Sequence, residues 1–172
     1  MRRVKLKDGR IVLVRRFRTK DKEKLIAMYE SLSQKALRWA LPPYAREKLE
    51  RGWLSNLRNI TAIVALHDNK IAGHAQVYKP PHLRRKGTGD LVIYLHQDFH
   101  NVGLGTAMLE ELIALAKEED LHRIGLSVVA DNEPAVHLYQ KMGFRTEGVM
   151  KDSYFGGDKR YHDELVMGLI FE

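Results

Sequence analysis

The stretch "QDFHNVGLGTAMLEELIAL", residues 97–115, leaves a polar turn, carries glycines at 103 and 105, and continues without a break into an amphipathic helix. Glycines at a strand-to-helix turn let the backbone approach a ligand, and the unpaired N–H groups and dipole of a helix start attract negative charge. A pyrophosphate suits such a turn. The turn lacks the Gly-Lys-Ser/Thr ending of a nucleotide P-loop, and also the third glycine and distal acid of a dinucleotide-binding fingerprint. By themselves the two glycines serve equally well a tight turn that binds nothing. Asp90 opens the apolar run "DLVIYLH", where alternation puts Asp90, Val92, Tyr94 and His96 on one face and Leu91, Ile93 and Leu95 on the other. A carboxylate among apolar neighbours has its pKa raised by desolvation, which suits a base near neutral pH; an exposed strand-end aspartate is the alternative. His96 is a competing base or a polar cap on the strand end. Tyr139 is either a phenol acid of pKa about 10 or core packing, with Val136 and Gly143 at helical spacing. Asn132, in "DNEP", reads as a helix cap or a ligand group. No metal is expected: the eight histidines include no H-E-x-x-H, and His96 and His100 straddle a change from strand to loop.

The elements that must position these groups alternate along the chain. "RIVLVRRF" (10–17) reads as a strand, "KDKEKLIAMYESL" (20–32) as a helix, and "YAREKLERGWLSNL" (44–57) as a second helix after the Pro42–Pro43 break. Residues 60–78 form two apolar runs around His67-Asp68-Asn69-Lys70, a hairpin signal. A strand follows at 90–96, a long helix at 103–119, a strand at 123–129, and a short helix at 133–143 with proline in its first turn and glycine at its end. Two strands, 144–152 and 162–171, complete the pattern. The expectation is one α+β domain spanning 1–172, a mixed central sheet of about six to seven strands flanked by about four helices.

Composition bounds the function class. At 172 residues the chain suits one domain with a proper core, and 44% hydrophobic with 30% charged residues is ordinary for a globular protein. No apolar run is long enough to span a bilayer and no secretory leader is apparent, so the expected location is cytoplasmic and no membrane partner is expected. The absence of cysteine removes thiol nucleophiles, disulfides and thiolate metal sites. The net charge of +7 is local: residues 1–24 hold eleven Lys or Arg against three acids, with a smaller cluster at Arg84, Arg85 and Lys86. Such a run reads as a solvated face or as attraction for an anionic partner. It is accompanied by no recognition-helix, zinc-finger or RNA-recognition pattern, so direct nucleic-acid binding is not the expected role.

Two segments together resemble a known family. "HNVGLGTAML" (100–109) resembles the Q/R-x-x-G-x-G/A pyrophosphate loop of GNAT-type acyl-CoA N-acyltransferases. "VVADNEPAVHLYQKMGF" (128–144) resembles that family's second signature, with Asn132, Ala135, Tyr139, Lys141, Gly143 and Phe144 in step. The opening "LKDGRIVLVRRFRTKDKEKLIAMYESLS" (6–33) looks like that of bacterial and archaeal protein-lysine acetyltransferases. The resemblance implies a single-domain GNAT fold and acetyl-CoA (coenzyme A) as co-substrate. It implies cofactor binding by Ile93, Tyr94, Leu95, His100, Asn101, Val102, Gly103, Leu104, Gly105, Thr106, Asn132, Ala135, Tyr139 and Lys141. His100 stands where Gln or Arg is usual, and a neutral imidazole donates from one nitrogen only. Asp90 takes the place of the family's glutamate base, its carboxylate one methylene farther back, so that a bridging water completes its reach. Tyr139 is implied as the acid that reprotonates the departing thiolate. A backbone N–H near Leu95 is implied to hold the oxyanion. The expected reaction is direct acetyl transfer to a primary amine, a protein lysine or amino terminus. A small amine such as a polyamine, a non-catalytic acyl-CoA sensor and a basic interaction module are the alternatives. A homodimer is compatible with this reading.

Overall fold

The computed structural model describes residues 1–42 and 44–171, with Trp53 described for its backbone only. Eight strands form one sheet: β1 (Arg2–Lys5), β2 (Ile11–Arg16), β3 (Ile60–His67), β4 (Lys70–Tyr78), β5 (Thr88–Leu95), β6 (Arg123–Val129), β7 (Arg145–Phe155) and β8 (Tyr161–Ile170). Their order is β1-β2-β3-β4-β5-β6-β8-β7, antiparallel throughout except for the parallel pair β5–β6. The α+β class and central mixed sheet are as expected, but the strand count is eight rather than six to seven. The added strand is β1, whose "RRVK" carries one apolar residue and forms only because β2 offers it an edge. Asp68 and Asn69, both at positive φ, make the tight turn between β3 and β4 that the sequence signals.

Alternation along β3 separates two cores: Ile63 and Ala65 belong to one cluster, and Val64 between them belongs to the other. On the first face lies α3 (Leu104–Glu118), whose Leu104, Met108, Leu109, Leu112, Leu115 and Ala116 form a buried stripe at helical spacing. Each fully buried leucine contributes about 1.5–3 kcal/mol relative to exposure. Against the second face packs α1 (Lys22–Glu30) through Leu25, Ile26, Met28 and Tyr29. The helix expected over 44–57 is divided: α2 (Arg46–Arg51) stops at Gly52, and the chain continues as 3-10 turns from Trp53 to Asn59. The last helix, α4 (Glu133–Lys141), has proline in its first turn and Gly143 at φ +92 just beyond its end.

Among the described residues, five of the eleven cations in residues 1–24 meet a carboxylate. Arg2 meets Glu110, Arg10 meets Asp8, Arg15 makes a two-pronged, nearly buried bond to Asp21, Arg16 meets Glu119 and Lys22 meets Glu50. Arg2 and Arg16 tie β1 and β2 to α3 and its carboxyl end, Arg15 ties β2 to the turn before α1, Arg10 pairs within the β1–β2 turn, and Lys22 joins α1 to α2. Glu119, at the carboxyl end of α3, collects bonds from Arg16, Lys79 and the Thr61 hydroxyl, anchoring that helix to β2, β3 and the end of β4. Among the described residues no helix is long and apolar enough to cross a membrane.

Candidate active site

The sheet opens between β5 and β6. Their ladder holds three positions, Thr88 with Arg123, Gly89 with Ile124 and Asp90 with Gly125, and then ends. Beyond it β5 stays paired to β4 as far as Leu95, and β6 stays paired to β8 as far as Val129, so the two strands diverge. The His96 amide donates to the Ala72 carbonyl at 2.9 Å. Alternation therefore turns the amides of Asp90, Val92 and Tyr94 toward β4 and those of Leu91, Ile93 and Leu95 toward the opening. A strand edge that has lost its neighbour offers an extended, amide-bearing ligand a row of donors and acceptors.

The glycine turn stands at the mouth of this opening. Phe99 is buried as its anchor, Asn101 has φ +60 and Gly103 φ +89, a conformation that requires glycine at the second position. The first bond of α3 runs from the Ala107 amide to the Gly103 carbonyl, so the amides of Leu104, Gly105 and Thr106 have no intrahelical partner, and Gly103 has no side chain to cap them. Three donors thus meet at the positive end of a 15-residue helix. Gly105 serves packing: a Cβ there would lie 2.8 Å from Leu138 Cδ2 and 3.4 Å from Leu95 Cδ1, so its bareness lets α3 close against α4.

Several expected site residues have surroundings the sequence did not reveal. His100 Nε2 lies 3.1 Å from the Leu95 carbonyl and must donate to it. In the neutral ring the other nitrogen is an acceptor, so His100 latches the turn and has no proton left for a phosphate. The Asp90 carboxylate is 58% exposed with the Arg85 guanidinium 3.9 Å away, so the apolar surroundings expected for it are absent. His96 is spent as a cap: Nδ1 accepts from the Asp98 amide at 3.3 Å and Nε2 meets Gln97. Asn132 begins α4 without any side-chain cap bond, so its carboxamide is available to a ligand. Ala135 and Lys141 lie on the same helix, Ala135 half-buried and Lys141 exposed. Tyr139 is 9% exposed and packs edge-on to Phe144, and its hydroxyl makes no hydrogen bond among the described residues. Burial pushes its phenol up to about 12, which keeps it protonated at neutral pH.

Tyr94 points to the other face of the sheet, where its hydroxyl meets that of Tyr44. Burial, followed by that bond, holds its phenol far above the ordinary range. The Tyr154 hydroxyl, from β7, reaches the carbonyls of Ala40 at 2.8 Å and Arg38 at 3.1 Å. His162 stands edge-on to Trp39 and between two carboxylates, Asp131 at 2.6 Å and Asp158 at 3.0 Å. The segment between α1 and α2 is thereby strapped across the end of β5 by the β7–β8 hairpin. This aromatic rim sets Trp39 against Tyr154 and His162, residues more than 100 positions away in the chain. A hollow of about 230 Å³ lies elsewhere, between α1 and α2 and lined by Phe17, Lys22, Glu50 and Leu54. Among the described residues no group of three His, Asp or Glu converges as a metal would need.

Residues 25–144 match the model of the acetyltransferase (GNAT) family. The L-amino acid N-acetyltransferase AaaT of Escherichia coli is 28% identical over 129 residues, 74% of this chain and 79% of that protein. An N-alpha-acetyltransferase of Sulfurisphaera tokodaii is 31% identical over 90 residues, 52% of this chain and 53% of that protein. The crystal structure of a GNAT-family acetyltransferase from Streptococcus pneumoniae superposes with a TM-score of 0.80 at 28% identity, covering 94% of this chain and 99% of that one.

Proposed function

Since the chain belongs to the acetyltransferase (GNAT) family, we propose that it carries the acetyl group of acetyl-CoA to the α-amino group of a protein amino terminus, in the cytoplasm. N-acetyltransferase activity with acetyl-CoA as co-substrate is the property of the family. The observation that supports this site for it is the divergence of β5 from β6 directly beneath the uncapped start of α3.

The chain's own groups fit that co-substrate. The amides of Leu104, Gly105 and Thr106 suit a pyrophosphate, assisted by Asn101, Val102 and Gly103 of the turn. The free edge of Ile93 and Leu95 suits an extended amide chain, with the Leu95 N–H placed to hold a carbonyl oxygen as charge develops on it. The carboxamide of Asn132, which makes no cap bond at the start of α4, suits a further polar contact to the same ligand. Acetyl-CoA supplies the activated thioester carbonyl. Asp90 lies five residues before Leu95, about 17 Å along the strand at roughly 3.4 Å per residue, so the amine proton reaches it through a chain of waters rather than a single one. Tyr139, protonated until needed, returns a proton to the leaving sulfur.

An α-amino acceptor is common to the two relatives, one named for L-amino acids and the other for N-alpha acetylation. Val92 on β5, Leu41 bonded to the Tyr44 hydroxyl and the Phe155–Tyr161 ring pair of the β7–β8 hairpin are exposed, apolar surface that suits a polypeptide end. The likeness to AaaT favours a second reading, a free amino acid as acceptor. Peptides that carry one free α-amine and one lysine, assayed against free L-amino acids, separate the two. Acetylation confined to the peptide α-amine supports the first reading, and acetylation of free amino acids alone replaces it with the second.

A further inference from the structure

The turn between β1 and β2 is docked on the glycine turn. The Lys7 amide donates to the Val102 carbonyl at 3.0 Å, Arg10 stacks on Phe99 with its guanidinium 3.9 Å from the ring centre, and Arg10 Nη2 donates to the Asp98 carbonyl at 2.5 Å. Arg10 is further held by Asp8, and Leu6 is buried in the main core. The tip is therefore fixed by backbone and core contacts that do not depend on the Lys7 side chain. That side chain lies along Gly103: a Cβ at Gly103 would be 3.8 Å from Lys7 Cγ and 3.9 Å from its Cε. Arg2, Arg10, Arg15, Arg16 and Lys22 each meet a carboxylate, whereas the exposed Lys7 ammonium meets none among the described residues. An unpaired cation is thus held beside three unpaired amide donors, the arrangement that adds a point charge to a backbone phosphate cradle.

We propose that Lys7 is a further cofactor-positioning residue, its ammonium closing the glycine turn over the pyrophosphate of coenzyme A from the β1–β2 side. The proposal rests on the reading of that turn as the pyrophosphate site. It also gives His100 a replacement: the side-chain proton that His100 spends on Leu95 is supplied from a different element.

Calorimetric titration of the full chain with coenzyme A, which needs no turnover, tests this with Lys7→Gln, Lys7→Arg and, as a control on β1, Lys5→Gln. Lys7→Gln should raise Kd about 3- to 10-fold, the loss expected for one charge-assisted contact at an exposed site. The same factor should appear with 3′-dephospho-coenzyme A, which keeps the pyrophosphate. Lys7→Arg and Lys5→Gln should stay within about twofold of the wild type. A penalty seen with coenzyme A and absent with the 3′-dephospho form would overturn the assignment to the pyrophosphate. Unchanged affinity in Lys7→Gln, with normal wild-type binding, would overturn the role of Lys7 and leave the site reading intact. Failure of the wild type to bind either ligand would overturn the site reading and this proposal with it.

Discussion

Replacing Glu119 with glutamine removes the carboxylate on which Arg16, Lys79 and Thr61 converge at the carboxyl end of α3. Burial by itself pushes this carboxyl up, but bonds from Lys79, Thr61 and Arg16 outweigh burial and carry it from its ordinary 4.5 down to about 2. At about 1.4 kcal/mol per pH unit, that difference corresponds to about 3 kcal/mol of stability. The side chain is 23% exposed, so solvent screening takes only part of it. Because the folded value lies below the unfolded one, the stabilisation is complete above about pH 4.5 and is lost as pH falls toward 2. Glutamine keeps one acceptor oxygen but sets an amide against two cations, so Glu119→Gln should cost about 2–3 kcal/mol at pH 7 and lower Tm by roughly 5–10 °C in a chain of this size. Urea unfolding of both proteins between pH 7 and pH 2.5 measures it. The gap between them should be widest at pH 7 and narrow steadily below pH 4.5. A gap under about 0.5 kcal/mol at pH 7, or one that stays constant with pH, would refute the argument. The test bears on the site, since this clamp fixes the far end of the helix whose first amides form the anion cradle.

Tyr139→Phe removes a hydroxyl that makes no hydrogen bond among the described residues, so Tm should move by less than about 2 °C while kcat drops about 10²- to 10⁴-fold; a kcat within threefold of wild type would remove Tyr139 from proton transfer. Gly103→Ala forces a side chain to φ +89 and should weaken coenzyme A binding at least tenfold in a calorimetric titration, with about 1–2 kcal/mol of lost stability; binding at wild-type strength would show that the left-handed turn is dispensable. The His162 imidazole, hydrogen-bonded first by Asp158 and then by Asp131, is raised above its ordinary 6.5. The tie it makes is therefore fully present below pH 6.5 and released as pH rises through the higher folded value. Histidine NMR titration should place its midpoint above 6.5, and a midpoint at or below that value would contradict the two-carboxylate geometry.

What the sequence made legible was local. Strong apolar periodicity located α3, β6 and the β3–β4 hairpin, because each buries a regular face and ends on residues with defined turn chemistry, such as Asp68-Asn69. β1 escaped because "RRVK" has no alternation to read, and its existence depends on the free edge of β2. The helix expected over 44–57 divided because the backbone of Gly52 (ψ −115) departs from the helical region, which apolar spacing does not report. At the site, the glycine turn and the start of α4 could be found from residue types, but the point where β5 leaves β6 could not. That point depends on which edges β4 and β8 occupy, a long-range property. The same limit explains three differences in surroundings. Asp90 is solvated because the ladder ends beside it, His100 turns inward to Leu95, and the Tyr44–Tyr94 pair joins residues 50 positions apart.

The most direct test of the central claim is transfer of label from acetyl-CoA, in the presence of the pure chain, to a peptide bearing one free α-amine and one lysine, with intact-mass and fragment analysis of the product and Asp90→Asn run in parallel. The account predicts one acetyl group per peptide, on the α-amine, formed at least tenfold more slowly by Asp90→Asn. Tight binding of coenzyme A without transfer to any amine, or transfer at the same rate by Asp90→Asn and wild type, would contradict it.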